Sequence, residues 1–434
     1  MFQRCPAQAL TWISRRRAFR APGRAKGALP CVMRVLVLLA LLIWTPAISA
    51  AADSFYAGYR SLVSWRPGTD IRLDAAVWYP TRTRPGTVKA GAWTFSAARG
   101  AALLPGPWPL LILSPDSSGS RFAHHDLAAR LAGQGFVVVV LTHDGDNADD
   151  MRFLYTNLHL PTRARQLKAA LDLVLADPQL GKAVDTQKIG LLAFGGGGSA
   201  GLLLAGATLT PHLWAPYCAS PALKSGGIPD PYCEPRMAAH MDGITRGMLH
   251  QADAIMEATA LRDQALKARA MTMARARDNV NKNAARLRRG QRRPLTELPA
   301  PPVFTPLLPP LPAEHALTDA RFRAMMLISP GYSMLFDPNS LKSLNLPLSL
   351  VGLDRDPLHR PERQALVLRE LLASSTAEYT LLTGADGPAL QALCPPDMAQ
   401  DLPDLCRTVS PGEREALHRR LEGLIVSFFQ RAFR

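Results

Sequence analysis

The stretch KIGLLAFGGGGSAGLLLAG, residues 188–206, decides the fold. Lys188 to Phe194 is an almost unbroken apolar run, as a strand covered on both faces must be. Four glycines, Gly195 to Gly198, then permit a sharp bend, after which the chain resumes with the composition of a buried helix. Several enzyme classes place their chemistry at such a strand–turn–helix unit. Gly196, Gly198 and Gly201 satisfy the dinucleotide pattern G-x-G-x-x-G. That pattern belongs on the first strand of its unit, with an acid about twenty residues later. Here sheet strands precede the turn and a cysteine-bearing loop follows it. Gly197 to Gly201 also satisfy G-x-S-x-G, the pattern of a strained turn that raises a nucleophilic serine. The strand ends at Phe194, however, so the bend falls on Gly195. Ser199 lies four residues further on, about one helical turn inside.

Working outward, further apolar runs of strand length are WPLLILSP (108–115), FVVVVLTH (136–143), AMMLIS (324–329), PLSLVGL (347–353) and EYTLLTG (378–384). Amphipathic helical stretches over 121–134, 161–176, 361–373 and 411–432 alternate with them. Strands alternating with helices predict an α/β fold with a doubly wound, mostly parallel sheet. AGYRSLVSWRPG and IRLDAAVWYP, nearer the N-terminus, predict an antiparallel hairpin leading into it.

The net charge is +15. Residues 1–50 hold eight basic residues and no acid, and residues 261–293 hold eleven basic and two acidic ones. Subtracting both from the total leaves −2, so the body is nearly neutral and does not read as a nucleic-acid binder. MRVLVLLALLIWTPAISAAADS, from Met33, has the anatomy of a cleaved secretory signal. Residues 1–51 are therefore expected to be leader and signal peptide, with Met33 as an alternative start. The protein is expected to be periplasmic or secreted. Beyond the leader four cysteines remain, as two close pairs, Cys218 with Cys233 and Cys394 with Cys406. In an exported chain these predict disulfides; neither spacing is that of a zinc site. No metal or cofactor is expected.

The core is expected over 52–211 and 319–434. Residues 212–318 form an insertion holding the first cysteine pair, a basic helical stretch and a proline-rich passage. Its 261–293 segment, including Met271, Met273, Arg275 and Arg277, is a candidate contact for membrane or protein. A solvated helix face explains it equally well.

Several of these stretches resemble the exported dienelactone-hydrolase-like branch of the α/β-hydrolases, which includes relatives of bacterial platelet-activating-factor acetylhydrolase. The most specific is SGSRFAHHDLAARLAGQGF followed by HDGDNADD; the others are YAGYRSLVSWRPGTDIRLDAAVWYP, DTQKIGLLAFGGGG, PLSLVGLDRDPLHRP, EYTLLTGADGPALQALCP and LCRTVSPGEREALHRRLEGLIVSFFQRAF. The resemblance implies an esterase-type site with serine, acid and histidine, and also implies that this chain has lost most of it. The nucleophile's place falls on Gly195 and the histidine's on Gly387. The acid falls on Asp356, with Asp354 nearby. On the oxyanion side stand Asp116, Ser117 and Gly196.

A serine needs a base to take its proton, and the base needs a group to orient it. Glycine does neither. The expectation is an α/β-hydrolase homologue inactive as a serine esterase that retains binding of a small ester, lipid or aromatic ligand, or of a protein. The alternatives are a carboxylic-ester hydrolase using Ser199 with Asp356, and an envelope interaction protein acting through 261–293. His124, His125, His143 and His359 are the histidines near strand ends, each read as a packing or surface residue. His125 and Asp126 are expected to fix a helix. The HDGDN loop (143–147) is read as hydrogen-bonded turn chemistry rather than a cation site.

Overall fold

The computed structural model describes residues 55–65, 72–154, 156–210, 213–220, 230–234, 317–372, 377–406 and 408–434. The leader, most of the 212–318 insertion and its basic 261–293 segment lie outside the described residues.

Ten strands form one sheet: β1 (Tyr56–Trp65), β2 (Arg72–Thr81), β3 (Gly86–Ala90), β4 (Trp93–Arg99), β5 (Trp108–Ser114), β6 (Val137–Thr142), β7 (Val184–Phe194), β8 (Ala324–Ile328), β9 (Leu348–Leu353) and β10 (Ala377–Leu382). Their order across the sheet is β10-β9-β8-β7-β5-β6-β2-β1-β4-β3. The run from β6 through β5 and β7 to β10 is parallel. β2 is antiparallel to β6, and β1 to β2, in the hairpin the sequence predicts. The β3–β4 hairpin at the far edge was not legible beforehand. The fold is α/β and doubly wound.

Alternation along the strands separates two cores. Leu110 and Ile112 of β5 belong to one, Leu111 and Leu113 to the other. Helices α1 (His125–Gly133), α2 (His159–Ala176), α3 (Gly196–Ala205), α4 (Ala365–Leu371) and α5 (Pro411–Ala432) cover the faces. α2 and α3 bury Leu167, Leu171, Leu202 and Leu203 on the first face. α1 and α5 bury Leu127, Leu131, Leu421, Ile425 and Phe429 on the second. Each such side chain contributes roughly 1.5–3 kcal/mol by leaving water. α5 starts sharply because Ser410 and Glu413 form a reciprocal capping box with Pro411 at the first helical position. Among the described residues no helix is long and apolar enough to cross a membrane.

The strand order places the site. From β5 the chain moves outward to β6, then returns across β5 to build β7 on its other side. Ligands of open α/β sheets bind beyond the carboxyl ends of strands at such a reversal. Ser114 of β5 pairs with Ala193 of β7, so the loops leaving these two strands start side by side.

Candidate functional site

β7 ends at Phe194 and α3 begins at Gly196. Gly195 between them has φ 51° and ψ −120°. That left-handed backbone is strained for any residue with a side chain. The bend is held from β8: Gly195 N–H donates to the Ile328 carbonyl at 3.0 Å, and Gly331 N–H donates to the Gly195 carbonyl at 3.2 Å.

The neighbouring loop fills the bend. Asp116 Oδ1 accepts from Ser117 N–H at 2.7 Å and from Gly196 N–H at 2.8 Å. A Cβ built on Gly195 would fall inside the Asp116 carboxylate. The carboxylate thus occupies the volume a nucleophilic side chain at the turn needs. It also engages the two backbone donors that could otherwise stabilise an oxyanion.

The other oxygen, Oδ2, lies 3.4 Å from His359 Nε2, an ion pair off the hydrogen-bond direction. His359 is buried, and its Nδ1 is 2.9 Å from Tyr232 Oη. Burial pushes the Asp116 carboxyl up. The close approach and charge of His359, the Gly196 N–H and the Arg163 charge outweigh it and bring the carboxyl down to about 2. Burial pulls His359 down, but Asp116, with Asp356 and Asp230 behind it, holds the imidazole above its ordinary value. Burial pushes the Tyr232 hydroxyl well up, so it stays a phenol.

A second cluster braces the Asp116 loop. Asp146 Oδ2 accepts from His159 Nε2 and Arg163 Nε, both at 2.5 Å, and from Ser117 Oγ at 3.2 Å. Arg163 Nη1 continues to the Pro115 carbonyl at 2.8 Å. Burial raises the Asp146 carboxyl, yet Arg163 and His159 hold it well below the usual range. Beneath lies His143, with Nδ1 2.7 Å from Gln166 Oε1 and Nε2 2.8 Å from Ser114 Oγ. An amide oxygen only accepts, so Nδ1 carries the proton and Nε2 accepts from the serine. Burial, helped by Arg163, brings His143 down to about 3. This Ser114–His143–Gln166 row is sealed from solvent and acts as a brace.

Aromatic rings join the two clusters. His159 meets Tyr332 edge-on at 5.6 Å, Tyr332 meets Tyr232 at 5.1 Å, and Tyr232 stacks on His359 at 6.0 Å. The three non-glycine residues with positive φ among the described residues are Ser118, Ser329 and Tyr332. All lie in the loops leaving β5 and β8. Such strain costs roughly 1–3 kcal/mol per residue and gathers at functional sites.

The other residues singled out from the sequence lie as follows. Ser199 is fully buried in α3, and its hydroxyl donates to the Gly331 carbonyl. Asp356 caps its own loop: Oδ1 accepts from the Leu358 and His359 N–H groups at 2.9 Å, and Oδ2 from Ser329 Oγ at 2.7 Å. Asp354 accepts from the Gly384 and Ala385 N–H groups. Gly387 opens a short helical turn with nothing within 4 Å of where its Cβ would be. His124 stacks on Phe194 at 4.0 Å and faces the Leu390 carbonyl; burial brings it down to about 4. His125 stacks on Phe95, and Asp126 binds His418 of α5 at 2.5 Å. Cys218–Cys233 and Cys394–Cys406 are disulfides.

The HDGDN loop does more than turn. Asn147 Oδ1 accepts from the Asp149 and Asp150 N–H groups, while Asp146 points inward to the cluster above. Tyr232, His159 and Arg163 were missed from the sequence, and His359 was read as a packing residue. For His359 the available signal was its place three residues after Asp356.

The fold and the bend define an α/β protein with a tight strand–turn–helix bend whose tip carries no side chain. No protein-family model matches the sequence. No curated protein matches it. Among solved structures, the chain is similar to the ferulic acid esterase from Streptomyces cinnamoneus, with 15% identity and a TM-score of 0.47, covering 90% of this chain and 92% of that one.

Proposed function

We propose that this chain is an exported α/β-hydrolase-type protein that does not work as a serine esterase. The observation that carries the reading is the pairing of Gly195 with Asp116. The tip of the turn has no hydroxyl, and a carboxylate stands in its volume on the two nearest backbone donors. The placement of Ser199 supports it, since its buried hydroxyl donates to a carbonyl and meets no base among the described residues. Asp356 supports it too: its lone pairs serve a loop cap and Ser329 rather than an imidazole. Export is supported by the two disulfides, which persist in oxidising compartments. The test is a fluorophosphonate probe with p-nitrophenyl butyrate on purified protein. The expected result is no labelled serine and no hydrolysis above the buffer rate. Labelling of Ser199, abolished by Ser199→Ala, overturns the reading.

A further inference from the structure

We propose that Asp116 is itself a covalent nucleophile, displacing an anionic leaving group from a saturated carbon, with His359 as the base that clears the resulting ester. This goes beyond the reading above, which concerns serine chemistry alone.

The geometry separates the two carboxylate oxygens by role. Oδ1 is fixed by the Ser117 and Gly196 N–H groups; among the described residues Oδ2 has no backbone donor, and it faces His359. The Asp116 side chain is 37% exposed, so an incoming molecule can reach it, while His359 beside it is buried. Carboxylates are established covalent nucleophiles where their orientation is fixed. Arg163 on the Pro115 carbonyl and the Ser117 hydroxyl on Asp146 supply that fixing.

The same geometry selects the substrate class. Attack on an ester carbonyl would build an oxyanion on the substrate, but the two donors that could stabilise it already hold Oδ1. Displacement at a saturated carbon needs no such stabilisation. Oδ2 donates an electron pair to the carbon, the carbon–halogen bond breaks, and halide leaves with its electrons. The product is an alkyl ester of Asp116.

Hydrolysis of that ester then uses every remaining part. Water attacks Asp116 Cγ and gives a proton to His359 Nε2. The developing oxyanion is Oδ1, already in line with the Ser117 and Gly196 N–H groups. The tetrahedral intermediate collapses, the Cγ–Oδ2 bond breaks, the alkoxide leaves with the proton from His359, and the new Asp116 carboxyl passes its own proton to the ring as the carboxylate returns. One alkyl halide and one water thus give one alcohol, one halide and one proton. His359 becomes a base at the right moment. The Asp116 charge that favours its protonated form disappears on esterification, so the ring gives its proton to solvent and burial favours the neutral form. Nδ1 lies 2.9 Å from Tyr232 Oη, and in the tautomer that donates to it Nε2 is left to take the proton.

The experiment incubates the full chain with 1-bromobutane in water enriched in oxygen-18, then measures bromide release and the mass of the peptide containing Asp116. The expected result is bromide release with oxygen-18 entering the Asp116 carboxylate, both lost in Asp116→Ala. His359→Gln is expected to slow release by roughly 10²-fold or more and to accumulate a butyl adduct on Asp116. A wild-type peptide of unshifted mass, with bromide release no greater than that of Asp116→Ala, overturns the proposal. That result needs no His359 variant to fold, and it leaves the serine-probe outcome independent.

Discussion

Gly195 and Asp116, 79 positions apart in sequence, occupy a single side-chain site: the glycine supplies the backbone bend and the aspartate supplies the group that fills it. Each excludes the ordinary form of the other. A side chain at 195 has no room while the carboxylate is there, and φ of 51° opposes it even with room.

Gly195→Ser alone is therefore expected to lose roughly 1–3 kcal/mol of stability and to gain no reactivity. Combining it with Asp116→Gly vacates the volume and leaves the introduced hydroxyl facing His359. The pair should be non-additive by about 0.5–3 kcal/mol, with the double variant more stable than the sum of the singles implies. It should also gain fluorophosphonate labelling at position 195. Urea unfolding and peptide mass spectrometry read both effects. A double variant that stays unlabelled means the turn does not point at His359.

Ser199 bears on the same register from inside the helix. Its hydroxyl satisfies the Gly331 carbonyl, so Ser199→Ala leaves one buried acceptor without that donor. The expected loss is about 1 kcal/mol, without change in any reactivity toward ester or halide. A loss of activity with unchanged unfolding midpoint would contradict the placement of this serine as a packing residue.

How much of this was legible beforehand follows from the range of each interaction. Most of the strands from β5 to β10 carry near-continuous apolar runs, and α5 announces itself with Ser410, Pro411 and Glu413, because those signals lie within one element. The bend at Gly195 was legible for the same reason: Phe194 ends the strand and glycine follows. The β3–β4 hairpin was not, since GTVKA and WTFSAAR mix small, charged and apolar residues without a clean alternation. Nor were the site contacts. Asp116 was placed on the oxyanion side by the resemblance, but its carboxylate reaching the turn depends on β5 and β7 being neighbours. His359 and Tyr232 meet across 127 positions, and no periodicity encodes that encounter.

The Cys218–Cys233 disulfide should matter more to the site than its position suggests. Cys233 follows Tyr232, whose hydroxyl sits on His359, and Trp214 Nε1 donates to the Tyr232 carbonyl at 3.1 Å. With a sequence separation of 15, the crosslink contributes about 3 kcal/mol in the chain-entropy view. Replacing both cysteines by serine is expected to lower stability by that order and to weaken the hold of Tyr232 on His359. The readout is the pH at which the His359 ring titrates by NMR, compared with the Cys394→Ser/Cys406→Ser variant. Equal titration in the two variants would show that the first disulfide does not anchor this tyrosine.

Stability against pH tests the electrostatics of the whole cluster, and the signs differ among the histidines. His124 and His143 are held down, to about 4 and about 3, from an ordinary 6.5. The unfolded chain therefore binds more protons between those values and 6.5, and stability falls as pH drops through that window. Asp116, held down to about 2 from 3.8, adds a further loss as pH falls from about 4 toward 2. His359 runs the other way. Held above 6.5 by Asp116, it contributes stability that is complete below 6.5 and disappears as pH rises through its folded value. The sum is a maximum close to neutrality with a steep acid limb and a shallower alkaline one. Urea midpoints from pH 3 to 9 should trace that shape, and His359→Gln should flatten the alkaline limb while leaving the fall between 6.5 and 4 in place. An alkaline limb unchanged in that variant would mean the imidazole and the carboxylate at the turn are not paired in solution.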